Sequence, residues 1–143
     1  MAEFCIKDNQ HQGRSDMTYN QIAYIHLMII IPAFLIGTIL ILMPKGSALH
    51  RVLGRSYLLF MLATGCITLL MSAKVGPTFL GHFGFIHLLS LYTLYLVPSA
   101  YFSVRRGNIT KHKLSMIGLY VGGILIAGTF AFMPGRMLHK ILF

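Results

Sequence analysis

Four apolar stretches, at 22–43, 52–73, 83–104 and 114–133, alternate along this chain with short polar turns. Each is about 20 residues long, the length a helix needs to cross a hydrocarbon core of roughly 30 Å. The second run contains Arg55, but close to its start, where a long cationic side chain can reach back to the headgroups. The pattern predicts an all-α membrane protein, a bundle of four transmembrane helices over residues 17–143. It leaves almost no chain for a soluble domain, so the function belongs inside the bilayer or to a partner. Residues 1–16 are polar and irregular, and they are expected to form a disordered tail that takes no part in the bundle. Met17 is a candidate start.

The pattern also repeats. Tyr24-Ile25-His26-Leu27-Met28 returns 61 residues later as Phe85-Ile86-His87-Leu88-Leu89. About twenty residues after each histidine comes a glycine behind a cation, Lys45-Gly46 and Arg106-Gly107. Shortly after each glycine comes a second histidine followed by a cation, His50-Arg51 and His112-Lys113. The second copy is expected to carry one extra residue in its loop. Two tandem helical hairpins of the same orientation imply a pseudo-two-fold axis along the membrane normal, with helix 1 opposite helix 3 and helix 2 opposite helix 4. His26 and His87 then share one depth, and His50 and His112 another. Pro32 and Pro98 interrupt helices 1 and 3 at positions that are not equivalent, and each frees a backbone carbonyl. Gly118-x-x-x-Gly122 and Gly123-x-x-x-Ala127 are small-residue spacings that permit close approach of a neighbouring helix.

Composition narrows the chemistry. Hydrophobic residues make up 56% and charged residues 10%, with mean hydropathy +0.73, values of a membrane protein. All three acidic residues, Glu3, Asp8 and Asp16, lie in the first sixteen positions, so the body has no carboxylate. Paired-carboxylate hydrolysis, oxygen-ligand Mg²⁺ or Ca²⁺ sites and carboxylate proton relays are therefore excluded there. The net charge of +9 does not imply nucleic acid, because the cations gather at turns. Lys45, Arg51 and Arg55 lie near the first turn, and Arg105, Arg106, Lys111 and Lys113 near the third, against Lys74 alone at the second. By the positive-inside rule the first and third turns are cytoplasmic and both termini lie outside, with anionic headgroups as the main partners of these charges. Cys5 and Cys66 form no disulfide framework, one being in the tail and the other inside a helix.

The histidines carry the candidate chemistry. His26 and His87, projected from opposed helices, can axially ligate one haem iron, with Tyr24 and Phe85 flanking the porphyrin. Each can equally hydrogen-bond a Ser, Thr or carbonyl on the next helix. His50 and His112 are candidates for a second haem, with Arg51, Arg55 or Lys113 pairing its propionates and Tyr57 reaching a propionate or a quinone. Their alternative is contact with headgroups or a helix cap. A tetrahedral zinc site is disfavoured, since about 18 helical residues, roughly 27 Å, separate the two pairs. His82 is a candidate third ligand on the outer side, but five residues from His87 it falls on another face. His11 and His139 are tail residues, and the nine methionines suit packing or lipid contact.

The run His50-Arg51-Val52-Leu53-Gly54-Arg55-Ser56-Tyr57 resembles the hallmark of a family of small bacterial predicted membrane proteins, domain of unknown function 2306. Arg106-Gly107-Asn108-Ile109 with His112, Met116 and Tyr120 is similar to that family's second motif, and Pro134-Gly135-Arg136 to its closing one. The resemblance covers Tyr19 to the C-terminus and implies four helices in a bacterial inner membrane, without an activity. The layout of two histidine pairs is also loosely similar to di-haem cytochrome b561, although here the inner histidines sit at helix ends. The leading expectation is a b-type cytochrome with one or two haem b groups, exchanging electrons with a redox partner or quinone. The alternatives are a non-catalytic accessory or assembly subunit of a larger complex, and a transporter of a small anion or haem, which would need a homo-oligomer.

Overall fold

The computed structural model describes the backbone of residues 2–71 and 84–132, and the side chains from Tyr19 onward within them. Helix α1 spans Ala2–Leu42, α2 Ala48–Leu70, α3 Phe85–Arg105 and α4 Ile109–Tyr120. A π-helical segment, Val121–Ile126, continues α4 into a short α5, Ala127–Ala131. The described residues contain no strand. Four stretches are long and apolar enough to cross a membrane: Tyr19–Leu42, Ala48–Leu70, Phe85–Arg105 and Ile109–Ala131. Lys74, His82, His139 and Pro134-Gly135-Arg136 lie outside the described residues, as do the side chains of Cys5 and His11.

The helices extend beyond the apolar runs. The backbone of 2–16 is helical, since α1 begins at Ala2. Nothing in that segment stops a helix: it has no proline and one glycine, and the apolar span supplies a formed helix from which it propagates. The second and fourth spans start earlier than their apolar runs. Ser47 caps α2 by accepting from the His50 N–H at 3.0 Å, and Asn108 caps α4 by accepting from the Lys111 N–H at 3.0 Å. These polar caps draw the first turn of each helix out of the loop, so His50 and His112 lie inside helices.

The turns between them are alike. Gly46 and Gly107 both adopt left-handed backbone, at φ +88° and +74°, a conformation glycine accepts at no steric cost. After α3 the Asn108 N–H reaches the Ser103 carbonyl at 2.9 Å and the Gly107 N–H reaches that of Val104 at 3.2 Å, a Schellman closure. Asn108 thus ends one helix and caps the next. At the other turn the Lys45 ammonium donates to the Ile41 carbonyl at 3.0 Å, neutralising the open end of α1.

Consecutive helices pack along their lengths, α1 on α2, α2 on α3 and α3 on α4. Ala33, Leu40, Tyr57, Leu58, Met61, Leu96, Val97, Ala100, Leu119 and Ile124 form the core, while large apolar side chains such as Met28, Leu42 and Leu70 point outward, as a lipid-facing surface requires. Tyr120 carries the seam between α1 and α4: its hydroxyl lies 2.8 Å from Thr38 Oγ1 and its ring stacks on Phe34. The small-residue face of α4 receives a ring. A Cβ on Gly118 would stand 2.9 Å from the Tyr92 hydroxyl and one on Gly122 2.8 Å from Tyr92 Cε1. Both α1 and α3 continue as helices across Pro32 and Pro98.

Candidate functional site

At the basic end, His112 opens the α4 side of the bundle. Its Nδ1 lies 2.8 Å from the Ala100 carbonyl oxygen. A carbonyl only accepts, so in the neutral ring Nδ1 carries the proton and Nε2 keeps its lone pair. Metal-bound histidines are held in this way, with the distal N–H fixed by a backbone carbonyl. Across the bundle on α2, His50 is close enough to His112 and Lys45 to interact electrostatically. Its own Nδ1 is buried with no hydrogen-bond partner. Around the pair, Arg51, Arg55 and Lys113 are exposed, as are Lys45, Arg105, Arg106 and Lys111.

Seven residues along α2 from His50 is Tyr57, 1% exposed, and seven further is Thr64, 5% exposed. Both hydroxyls are buried without a partner. Steps of seven hold one face of a helix, so the three side chains form a stripe directed at the bundle interior, about 10 Å from one to the next. The Tyr57 ring stands beside Gly37, whose added Cβ would lie 3.0 Å from Tyr57 Cε2. A buried polar atom with no partner costs about 1–3 kcal/mol, so three in register on one face mark α2 as the polar spine of the molecule.

The other end holds a partly open cavity of about 200 Å³ lined by all four spans. Its polar lining is Tyr19 and His26 from α1, Thr64 and Thr68 from α2, and Ser90 and Thr93 from α3. Gly123 of the π-helical segment and Ala127 and Gly128 of α5 complete the wall. Thr68 Oγ1 donates to the Thr64 carbonyl at 2.7 Å and lies 3.4 Å from His26 Nδ1. The hydroxyl has one proton and it is committed, so His26 is the donor in that long contact and Nε2 holds the lone pair.

His87 differs from its counterpart. It is 2% exposed, and its Nδ1 accepts the Gly84 N–H at 3.1 Å while its own N–H reaches the Gly84 carbonyl at 3.0 Å. The imidazole takes the place a Glu or Gln holds in a capping box and finishes the N-terminus of α3. Accepting at Nδ1 puts the neutral ring's proton on Nε2, so neither nitrogen offers a lone pair to a metal in this arrangement. The spacing of Gly84, His87 and the following apolar run carries this cap in the sequence. The outer pair therefore stands in two different environments, and the inner pair is the better arranged for ligation.

The placement of the extra residue is also corrected. Gly46-Ser47 and Gly107-Asn108 are turns of equal length, and both caps bond the N–H three residues on. Aligned by cap, His50 corresponds to Lys111 and His112 to Arg51. The additional residue sits within the first turn of α4 and rotates His112 by about 100° relative to His50.

A family model described as "Predicted membrane protein (DUF2306)" matches residues 23–142. The chain belongs to this family. The matched stretch of the DUF2306 protein includes every candidate site residue, His26, His50, Arg51, Arg55, Tyr57, His87, His112 and Lys113, and leaves out only the N-terminal segment and Phe143. No curated protein and no solved structure matches the chain. The family description states a membrane location and no activity, so the functional reading of this DUF2306 member rests on its side chains.

Proposed function

We propose that this protein is a small b-type electron carrier of the bacterial inner membrane, with a bis-histidine haem b between His50 and His112 at the basic end. The observation that carries the reading is the His112 Nδ1–H bond to the Ala100 carbonyl at 2.8 Å, which leaves an imidazole lone pair on a helix opposed to His50. The partnerless Nδ1 of His50 is the matching second ligand. Exposed Arg51, Arg55 and Lys113 supply cations suited to propionate carboxylates, and the body of the chain has no carboxylate to compete for them. A haem held there would supply reversible one-electron exchange. The polypeptide fixes the ring orientation of His112, keeps the ligands at the membrane boundary and surrounds them with positive charge, which favours the reduced or anionic partner. We read this end as cytoplasmic, with both termini on the opposite side, a reading that the exposed cations support through the positive-inside rule.

The test is spectroscopic. Protein purified in mild detergent from haem-supplemented cells is expected to show a sharp low-spin α-band in its reduced minus oxidised spectrum, at one haem per chain. His50→Ala and His112→Ala are each expected to abolish it, and His87→Gln to leave it intact. A colourless wild-type protein overturns the proposal. A second haem, lost with His26→Ala, would mean that the outer pair ligates after rearranging the α3 cap.

A further inference from the structure

We infer that the cavity at the end away from the basic turns is a binding site for a monocyclic hydroxyaromatic ring, of the kind a membrane hydroquinone carries, and that it prefers the reduced ring to the oxidised quinone. Size is the first ground. An engineered apolar cavity of about 150 Å³ takes up benzene; this one, at about 200 Å³, holds a single ring with small substituents and nothing as large as a porphyrin.

Polarity is the second. Along one side the Ser90 hydroxyl donates to the Ile86 carbonyl and the Thr68 hydroxyl to the Thr64 carbonyl, so both oxygens are left as acceptors. His26, donating through Nδ1, adds the Nε2 lone pair as a third. The Thr64 hydroxyl, 95% buried and partnerless, and the Thr93 hydroxyl are the uncommitted groups that can both donate and accept. An edge rich in acceptors matches a ligand that brings O–H groups. A quinone brings only acceptors, and its carbonyls would face lone pairs. Among the described residues no formal charge lines the cavity, which suits an uncharged ligand.

The third ground is the wall itself. The α4 backbone changes to π-helix at Val121–Ile126, beside the cavity, and Gly123 of that segment lines it. An isolated π-helical turn interrupts regular hydrogen bonding and is frequent where a helix serves a site. Gly128 stands in the same wall, and a Cβ added to it meets nothing within 4 Å.

The experiment is equilibrium binding of dimethylhydroquinone and of the matching dimethylbenzoquinone to the purified protein in detergent, by calorimetry. It needs no redox centre, so its failure leaves the electron-carrier reading untouched, and a colourless protein leaves this site untouched. Saturable binding at one site per chain is expected, about tenfold tighter for the hydroquinone, the ratio set by one unmatched buried pairing. Thr64→Val keeps the shape of the wall and should weaken both rings severalfold. His26→Phe should reduce the preference for the reduced form, and Gly128→Leu should block both. Non-saturable uptake, affinities that ignore Thr64→Val and Gly128→Leu, or a quinone bound as tightly as the hydroquinone would each overturn the proposal. Because Thr64→Val is nearly isosteric, the result stands even where Gly128→Leu disturbs folding.

Discussion

Replacing Tyr57 with phenylalanine removes one buried oxygen and leaves the packing around the ring almost unchanged. The side chain is 1% exposed and its hydroxyl has no hydrogen-bond partner. The cost of such an atom is about 1–3 kcal/mol, so Tyr57→Phe is expected to stabilise the bundle by up to that amount. Tyr120 provides the control, since its ring borders the same Gly37 and its hydroxyl is satisfied. Thr38 spends its proton on the Phe34 carbonyl at 2.8 Å, so Tyr120 is the donor in the 2.8 Å bond to Thr38 Oγ1. Tyr120→Phe deletes that bond and strands no donor, for an expected loss of about 0.5–1.5 kcal/mol. One atom removed from each of two neighbouring rings should therefore move stability in opposite directions.

The assay is reversible unfolding in mixed detergent micelles, followed by far-UV circular dichroism and repeated for the double variant. The two rings share a neighbour, so the double variant also measures their coupling. Tyr57→Phe would refute the reasoning if it destabilised the protein by about 1 kcal/mol or more, because a hydroxyl that costs nothing to bury has a partner. A water or a bound molecule beside Tyr57 would then be part of the folded state.

Two further substitutions probe the same architecture. Gly37→Ala would place a Cβ 2.8 Å from Tyr120 Cδ2 and 3.0 Å from Tyr57 Cε2; both neighbours are rigid rings, so a loss of about 1–3 kcal/mol is expected in the same unfolding assay. His87→Ala should cost about 1 kcal/mol through the lost cap of α3, with His87→Gln recovering most of it, whereas a residue needed only as a metal ligand would show no such rescue.

The four spans were legible because they depend on a one-dimensional quantity, the length of apolar chain. Gly46 and Gly107 were legible as turns because few residues other than glycine accept a left-handed backbone. The helix starts were visible only in part. Apolar content begins at Val52 and Leu114, but Ser47 and Asn108 begin the helices, and caps are local hydrogen bonds that hydropathy does not register. His26 and His87 share a pentad pattern, yet one lies well inside α1 and the other at the start of α3. Whether a histidine caps or lines a cavity depends on where the helix begins, which the pentad does not encode. The cavity was not legible at all. Beside Tyr19 and His26 of α1, its polar lining is Thr64, Thr68, Ser90 and Thr93 from α2 and α3, residue types common in transmembrane helices, and only their convergence distinguishes them.

The two halves of the chain place their histidines differently. With caps aligned, Lys111 holds the place equivalent to His50, and His112 the place equivalent to Arg51. About 100° around the helix from the place of His50, His112 reaches the Ala100 carbonyl on α3, and that bond sets the tautomer that frees Nε2. At the far end, His87 is drawn into the first turn of α3 while His26, with a helix continuing on both sides, is left to border the cavity. The members of each histidine pair thus stand in unequal environments. The basic end has two imidazoles, and the opposite end has a single imidazole bordering the cavity. The α2 stripe of His50, Tyr57 and Thr64 is the element common to both, since its first member belongs to the basic end and its last to the cavity. A change at Tyr57 is therefore the one most able to report whether the two ends are coupled through the core.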